Sequence, residues 1–537
     1  MEPTLFQYIL SYIIFNIFPF IILLGLLILI HEFGHFIVAK LSGIKVEKFS
    51  LGFPPKLFSK KIGETEYIVS LLPLGGYVKL AGEENWVNPS ADYEFHSKHP
   101  LIKISVVFAG PLMNFILAII LFFIVNLIGT EILYNPATPG KIGRIAINSA
   151  AEEIGLREGD EILEVNGKKI KSWNELFELS FLPDKSDKYL LTIKRDNQIF
   201  QKYITPKKIN DRRIMGITQF ITPEIGDIDS KSSAYKSGLK KGDKILEIDN
   251  FPITQWYDIE EYFLMNPEKE VKIKYQSIDG KIQTINYIVP FKTIKSGVLE
   301  IKPKIIINDY KKIYYSTIIE EIKENSIAER IGLLKNDKII KIDENFTPQN
   351  FIDIITYLID KANKSVKLQI LRNNEIITKE VLIEEMELKL GTLEFNPKVY
   401  IEKYGIIQSF NVAIYNSIKY VKQTYDVLYR LITKQISPMN AMGGPISLFK
   451  FSGLAAQSGF TKFLLLIAII SVNLAVINLF PVPVLDGGII LFFLYELIFK
   501  RKLSEKIVEK GQQIGWALII FLAIFVIYID IMREFIK

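Results

Sequence analysis

Four long stretches of the chain lack charged residues, and they alternate with segments that are rich in charge. They cover residues 3–30, 104–130, 463–485 and 511–529. Each is long enough for the roughly 20 residues that an α-helix needs to cross a bilayer. The pattern therefore predicts four transmembrane helices. Because no Lys or Arg precedes the first stretch, we expect it to be a retained anchor and not a removed signal peptide.

Positive charge gathers in two of the connecting loops. Residues 40–98 contain eight Lys, and residues 500–510 contain four Lys and one Arg. By the positive-inside rule both loops lie in the cytoplasm. Both termini and the long central region then lie outside it.

The central region contains three similar segments, each with a short helix that ends at a Gly-Leu pair, followed by a turn with Asp and an apolar strand. The pairs begin at Gly155, Gly238 and Gly332. This spacing of roughly 80–95 residues suits compact domains. The segments resemble PDZ domains of bacterial membrane and periplasmic proteases, which implies α+β PDZ-like domains in tandem at residues 131–212, 213–303 and 304–398. They either hold extended peptides at a sheet edge or act as spacers or gates.

A segment of mixed character follows the repeats, at residues 399–460. Within residues 404–432 the apolar positions fall near helical spacing among Lys, Gln and Asn. The pattern predicts an amphipathic helix. Two placements remain open for it, either on the outer membrane surface or packed against the last repeat.

Composition narrows the possible partners and the chemistry. Of 537 residues, 49% are apolar and 23% are charged, which fits a membrane protein with soluble parts. The net charge of +6, from 65 basic and 59 acidic residues, is too small to indicate a nucleic-acid partner. Because the chain has no Cys, disulfides are excluded and any metal must be bound by His and carboxylates.

A metal-binding motif ends the first apolar stretch. His31 and His35 are four residues apart, so on a helix they face one side and can bind one ion, with Glu32 near its water. Zinc is the ion that His and carboxylate ligands favour in tetrahedral geometry. The other two histidines, His96 and His99, lie in a polar loop and are expected to be solvated.

Asp486 is the candidate for a third ligand. It follows 23 uncharged residues, where an unpaired carboxylate is costly unless it meets a cation. The positive-inside assignment puts it on the same side of the membrane as His31 and His35. The alternative is a helix N-cap, because two Gly and an apolar run follow it.

Together these motifs resemble the site-2 protease family of intramembrane zinc metalloproteases, in its PDZ-containing bacterial branch. The resemblance covers most of the chain. It extends to the strings LPLGGYVK at 72–79, FAGPLMN at 108–114, MGGPIS at 442–447 and NLFPVPVLDG at 478–487. It implies that His31, His35 and Asp486 bind zinc (Zn2+) and that Glu32 is the catalytic base.

The resemblance also implies a domain order and a substrate class. Residues 1–40, 101–130, 461–499 and 500–537 hold the four spans, and residues 41–100 form a cytoplasmic loop with a membrane-associated β-hairpin. The expected substrates are single-span proteins of the bacterial inner membrane, such as a pre-trimmed anti-sigma factor or a signal-peptide remnant. The PDZ domains are expected to gate their access.

Four further residues are candidates for contact with the substrate backbone. Pro481 and Pro483 interrupt the third span and free backbone groups for pairing. Asn114 and Asn478 either bind the substrate or serve as polar contacts between helices. Two other functions remain as alternatives, a catalytically silent scaffold with PDZ modules and a transporter with broken spans.

Overall fold

The computed structural model of the chain divides into two compact units. The first combines both ends of the chain, Met1–Thr130 and Glu402–Lys537, and the second is Glu131–Ile401. The structure describes residues 13–83, 91–146, 148–179, 188–209, 212–307, 313–344 and 346–535.

The first unit is mainly helical, and within its described residues four helices are apolar and long enough to span a membrane, as the uncharged stretches predict. These helices cover Ile14–Leu41, Pro100–Ile128, Phe460–Asn478 and Glu505–Arg533. A π-helical turn at Ile13–Ile17 opens the first of them. The helices of this unit are α1 (Phe18–Leu41), α2 (Pro100–Ile128), α3 (Ile406–Ile432), α4 (Pro438–Ala441), α5 (Pro445–Gln457), α6 (Phe460–Asn478), α7 (Asp486–Phe499) and α8 (Glu505–Phe535).

Helix α2 packs against α1, α3, α6 and α7 and so connects most of the unit. Its approach to α1 depends on a missing side chain. A methyl group on Gly34 would lie 2.2 Å from the carbonyl oxygen of Ala109. On its other side, the hydroxyl of Ser471 in α6 donates to the backbone carbonyl of Asn114 at 2.7 Å. Small residues and buried hydroxyl contacts are the usual means by which helices associate in membranes.

Helix α3, the predicted amphipathic helix, packs against α2 and α6. Its buried residues are the small ones, Ser409, Ala413 and Ser417, whereas Ile407 is 80% exposed. Neither placement considered from the sequence includes this packing. The amphipathic pattern predicts a buried face of large apolar side chains, whereas helices among membrane spans approach each other through small residues.

The far end of α8 is bonded to the start of α5. Asp530 is 2% exposed and accepts hydrogen bonds from the backbone N–H groups of Gly444, Ile446 and Ser447 and from the Ser447 hydroxyl. Arg533 donates to the carbonyl of Met442 at 2.6 Å. The first N–H groups of a helix have no partner within it, so a carboxylate from another helix supplies one.

The loop after α1 forms a long antiparallel hairpin of β1 (Val46–Ile62) and β2 (Thr65–Leu80). The hairpin packs against α1 through both strands, mainly through β2. In β1, Leu57 and Phe58 are 63% and 62% exposed, so large apolar side chains project from the protein surface there.

The expectation that His96 is solvated is wrong, because its side chain is buried and only 2% exposed. It lies in a single 3-10 turn, Phe95–Ser97, and its Nε2 is 3.1 Å from the carbonyl oxygen of Glu83. The ring of Phe493 in α7 lies 6.0 Å away. Burial, with a smaller contribution from the charge of Lys103, lowers the pKa of His96 from 6.5 to about 4. His99 is exposed as expected and caps α2.

The second unit consists mainly of antiparallel β-structure. Its short helices are Ala150–Glu153, Trp173–Leu179, Ser233–Lys236, Trp256–Met265, Ile327–Arg330 and Phe351–Ile359. Its strands are β3 (Thr130–Ile132), β4 (Ile142–Ile145), β5 (Glu161–Val165), β6 (Lys168–Lys169), β7 (Tyr189–Arg195), β8 (Gln198–Ile204), β9 (Lys207–Ile209), β10 (Arg212–Ile214), β11 (Ile217–Gln219), β12 (Ile225–Ile228), β13 (Lys244–Ile248), β14 (Phe251–Pro252), β15 (Glu270–Gln276), β16 (Ile282–Ile288), β17 (Phe291–Gly297), β18 (Ile301–Ile307), β19 (Ile313–Ile322), β20 (Lys338–Ile342), β21 (Lys364–Arg372), β22 (Glu375–Ile383), β23 (Glu385–Gly391), β24 (Phe395–Pro397) and β25 (Tyr400–Glu402).

The described residues of this unit form three hydrophobic cores, one for each sequence repeat. The first is covered by the sheet β6-β5-β7-β8 and by the pair β4-β11, the second by β14-β13-β15-β16, and the third by β18-β19-β20-β21-β22. Each core also takes residues from two of the short helices. The three domains are PDZ-like α+β units.

The third core is nested inside the second. Phe395 follows the third repeat in the chain, yet it is buried in the second core, and its strand β24 pairs with β12. The ribbon β17–β23 carries the chain out to the third core and back. The predicted boundary between residues 303 and 304 therefore falls inside β18. The predicted order of three consecutive domains does not include the return of the chain to the second core. A strand of three residues, such as β24, gives no sequence signal of its distant partner.

We predict that burial of His96 makes the first unit less stable as the pH falls from about 6.5 to about 4. Over this interval the unfolded chain binds a proton at His96 while the folded chain does not, so the free energy of unfolding falls by at most about 3 kcal/mol. Thermal unfolding of the wild type and of His96→Gln in detergent, at matched pH values, measures the effect. The variant should lose most of the slope, and equal slopes in both proteins would refute the prediction.

Candidate active site

Two histidines of α1 and a carboxylate from a distant part of the chain meet between α1 and α7. His31 and His35 lie one turn apart on α1, and their Nε2 atoms are 3.1 Å apart. The carboxylate of Asp486 lies 3.2 Å from Nε2 of His31 and 3.7 Å from Nε2 of His35. These separations suit one ion, because ligands with bonds of about 2.0 Å to a tetrahedral zinc lie about 3.3 Å from each other. Among the described residues this is the one cluster of three or more His, Cys, Asp or Glu with such spacing.

Asp486 reaches the histidines because the third predicted span is broken. Helix α6 ends at Asn478 and α7 begins at Asp486, with the two prolines in the bend between them. The chain reverses tightly after the bend. A methyl group on Gly487 would lie 2.2 Å from the Leu479 carbonyl oxygen, and one on Gly488 would lie 2.1 Å from that of Val482. The two glycines therefore allow the turn that delivers the carboxylate.

The second nitrogen of each histidine faces a group of α2 or α6. Nδ1 of His35 lies 2.9 Å from the backbone carbonyl oxygen of Val106, which can only accept a hydrogen bond. This contact places the proton on Nδ1 and leaves Nε2 free for a metal. Nδ1 of His31 lies 3.3 Å from Asn114 and 3.5 Å from Asn478. The structure thus puts both predicted asparagines next to the cluster of two histidines and one aspartate.

Gly110 in α2 forms the floor of the cluster. A methyl group there would lie 2.4 Å from Nε2 of His35 and 2.8 Å from Cε1 of His31. The imidazole rings therefore occupy the volume that a side chain would need. The Phe-Ala-Gly-Pro string of α2 owes its glycine to this contact, a role that the sequence alone does not indicate.

The side chain of Glu32, a residue of α1, faces the hairpin. The backbone N–H of Val78 in β2 donates to its carboxylate. Gly76, in the same strand, leaves room for Glu32, because a methyl group there would approach Cγ of Glu32 to 3.2 Å and the Ser50 carbonyl oxygen to 2.8 Å. The hairpin therefore brings a strand backbone to the predicted base, and the Gly-Gly-Tyr-Val string supplies it.

The bend that carries Pro481 and Pro483 lies against α8, through Pro483 and its neighbour Val484. A methyl group on Gly515 would lie 2.7 Å from Cγ2 of Val484, and one on Gly511 would lie 3.7 Å from Cβ of Pro483. The glycines of α8, four residues apart on one face, thus allow that helix to pack on the bend before Asp486.

A set of spanning helices that carries His-Glu-x-x-His beside a carboxylate defines the class of intramembrane zinc metalloproteases. The chain belongs to peptidase family M50, whose model matches residues 19–522. It is a zinc metalloprotease and a multi-pass protein of the inner membrane.

Curated relatives match almost the whole chain. The regulator of sigma-E protease RseP of Escherichia coli K12 is 29% identical over 97% of this chain and 99% of its own length. The regulator of sigma E protease of Haemophilus influenzae is 28% identical over 96% and 98%. The protease RseP of Yersinia pestis is 26% identical over 97% and 99%.

We predict that Gly110→Ala displaces the histidine rings and lowers the affinity for zinc at least about tenfold, the lower end of the losses seen when groups that hold metal ligands are changed. Zinc retained by the purified protein during titration with a chelator measures this. Gly25→Ala is the matched control, because a methyl group on that glycine of α1 meets no atom within 4 Å. Full zinc retention by Gly110→Ala would contradict the geometry.

Proposed function

We propose that the chain cuts peptide bonds within or near the spans of single-span membrane proteins, at a zinc ion held by His31, His35 and Asp486. The convergence of three donor atoms within 4.8 Å of one another carries this proposal. Their side chains are only 11%, 15% and 15% exposed, so three ionisable groups lie close together in a largely buried place. Such a placement is costly without a shared cation.

Glu32 is proposed as the general base. Zinc at this cluster would polarise a peptide carbonyl and make water a nucleophile near neutral pH. Glu32 takes the proton from the attacking water and then returns it to the leaving amine, which completes hydrolysis. The Val78 N–H bond holds the carboxylate in place for both steps.

A helical substrate must unwind before it can be cut, because its carbonyls are already hydrogen-bonded. We propose that the unwound segment lies along the hairpin, since β2 brings backbone groups next to Glu32. Asn478 is partly exposed beside the cluster and is proposed to bind the substrate backbone, with Pro481 and Pro483 holding the bend open. The exposed Leu57 and Phe58 of the hairpin fit contact with the bilayer.

The proposed orientation puts the active site near the cytoplasmic side and the PDZ-like unit in the periplasm. It is supported by the Lys-rich loops at residues 40–98 and 500–510, which flank the ends of the spans that carry the cluster. The names of the relatives fit a role in regulated intramembrane proteolysis, with an anti-sigma factor or a signal-peptide remnant as substrate. The second unit is proposed to gate access, and its sheet edges are proposed to hold extended peptides.

We expect Glu32→Gln to lower cleavage of a tagged single-span substrate by roughly 100- to 10,000-fold, because a general base contributes about that much. The zinc content should equal that of the wild type, because Glu32 is not a ligand in this proposal. Cleavage in detergent and metal analysis of the same samples test both statements. Glu375→Gln, an exposed carboxylate in the second unit, should retain full activity. Undiminished cleavage by Glu32→Gln would refute its role as base.

Removal of the second unit tests the gate. Strands β3 and β25 pair where this unit begins and ends, so its two ends are adjacent and a short linker can replace Glu131–Ile401. The shortened protein should cut an untrimmed substrate that the full chain leaves intact, and Glu32→Gln in the same background should abolish that cleavage. If the shortened protein cuts trimmed substrates alone, the unit is not a gate.

A further inference from the structure

Asn114 contacts the metal cluster from a place that is closed to solvent. It lies on α2 one turn after Gly110, on the same helix face, and is 0% exposed. Its Nδ2 is 3.3 Å from Nδ1 of His31. Its Oδ1 is buried and has no hydrogen-bond partner among the described residues.

The two atoms of this contact have incompatible chemistry once His31 binds a metal. The Nε2 of His31 faces His35 and Asp486 and is therefore the ligand atom. A neutral imidazole that binds through Nε2 carries its proton on Nδ1 and must donate there. The amide nitrogen of Asn114 also donates, so the arrangement sets one donor against another and leaves an acceptor buried without a partner.

Exchange of the two ends of the amide removes the opposition of two donors and gives the buried oxygen a partner. The oxygen and nitrogen of an Asn side chain have nearly the same shape, and their assignment follows from the hydrogen-bond network. With Oδ1 towards His31, the orphaned acceptor receives the Nδ1 proton. The backbone of Asn114 is already fixed, because its carbonyl accepts from Ser471 of α6.

We propose that Asn114 is a positioning residue that accepts a hydrogen bond from Nδ1 of His31 through Oδ1, and so fixes the ring and the tautomer that present Nε2 to zinc. This inference rests on the proposed ligand set. It gives both histidines an acceptor from α2, the Val106 carbonyl for His35 and the Asn114 amide for His31.

The same geometry separates Asn114 from Asn478. Asn478 is farther from Nδ1 of His31, at 3.5 Å, and it is partly exposed beside the bend. A buried residue has no surface to offer an extended peptide, whereas a partly exposed one has. Asn114 therefore acts on the metal ligand, and contact with substrate is left to Asn478.

Affinity for zinc is the measurement that tests this role, and it needs no substrate. Asn114→Leu has similar size but no acceptor, so zinc should dissociate at about 10- to 100-fold lower chelator activity than from the wild type. Asn114→Asp keeps an acceptor and should retain zinc within a few-fold of the wild type. The matched control is Asn126→Leu, a buried Asn about 18 Å further along α2 that donates to Ser409, and it should bind zinc normally.

Each other outcome overturns the inference in a recognisable way. Normal zinc affinity in Asn114→Leu removes the role, and equal loss in Asn114→Leu and Asn114→Asp shows that only packing is involved. Loss in Asn478→Leu with none in Asn114→Leu transfers the role to Asn478. A fourth variant, His31→Ala, distinguishes failure of the proposed ligand set from failure of the inference about Asn114. If it keeps zinc, the ligand set itself fails, and if it loses zinc while Asn114→Leu does not, only the inference fails.

Discussion

Ionisable side chains can lie among apolar helices only if they meet one another, and this constraint organises the first unit. His31 and His35, with Glu32 between them, follow a stretch without charge, and Asp486 follows another. Each carboxylate or imidazole is costly alone, whereas together they can share one divalent cation, as we propose. The bend between α6 and α7 allows Asp486 to approach the two histidines, since a continuous helix would carry Asp486 away from α1.

The meeting also requires helices to approach more closely than ordinary side chains permit. Gly34 allows the backbone of α2 to contact α1. Gly110 leaves room for the histidine rings, which pack against its backbone. Gly76 likewise leaves room for the side chain of Glu32 against the hairpin. The glycines within the sequence motifs thus have a common physical basis, because at each one a backbone carbonyl or a side chain of the site occupies the volume that a methyl group would need.

The sequence predicted that His31, His35 and Asp486 come together, but it did not predict the groups that support them, and the difference has a physical cause. The i, i+4 spacing of His31 and His35 and the lone charge of Asp486 follow from helix geometry and the cost of burial, which act locally. The contact of His35 with the Val106 carbonyl involves a backbone atom that any residue supplies, so no residue type signals it. Likewise, His96 is buried by α7, from almost 400 positions away in the chain, and its polar neighbours in sequence indicated the opposite.

The nested arrangement of the second and third PDZ-like cores determines the order in which they can be completed during synthesis. The second core needs Phe395 and β24, which are made only after every strand of the third core. The third core is continuous in sequence between β17 and β23 and can close as soon as its last strand is available. A nascent chain therefore carries an unfinished second domain, with β12 lacking its partner strand, until the third domain has been built, although the second begins first.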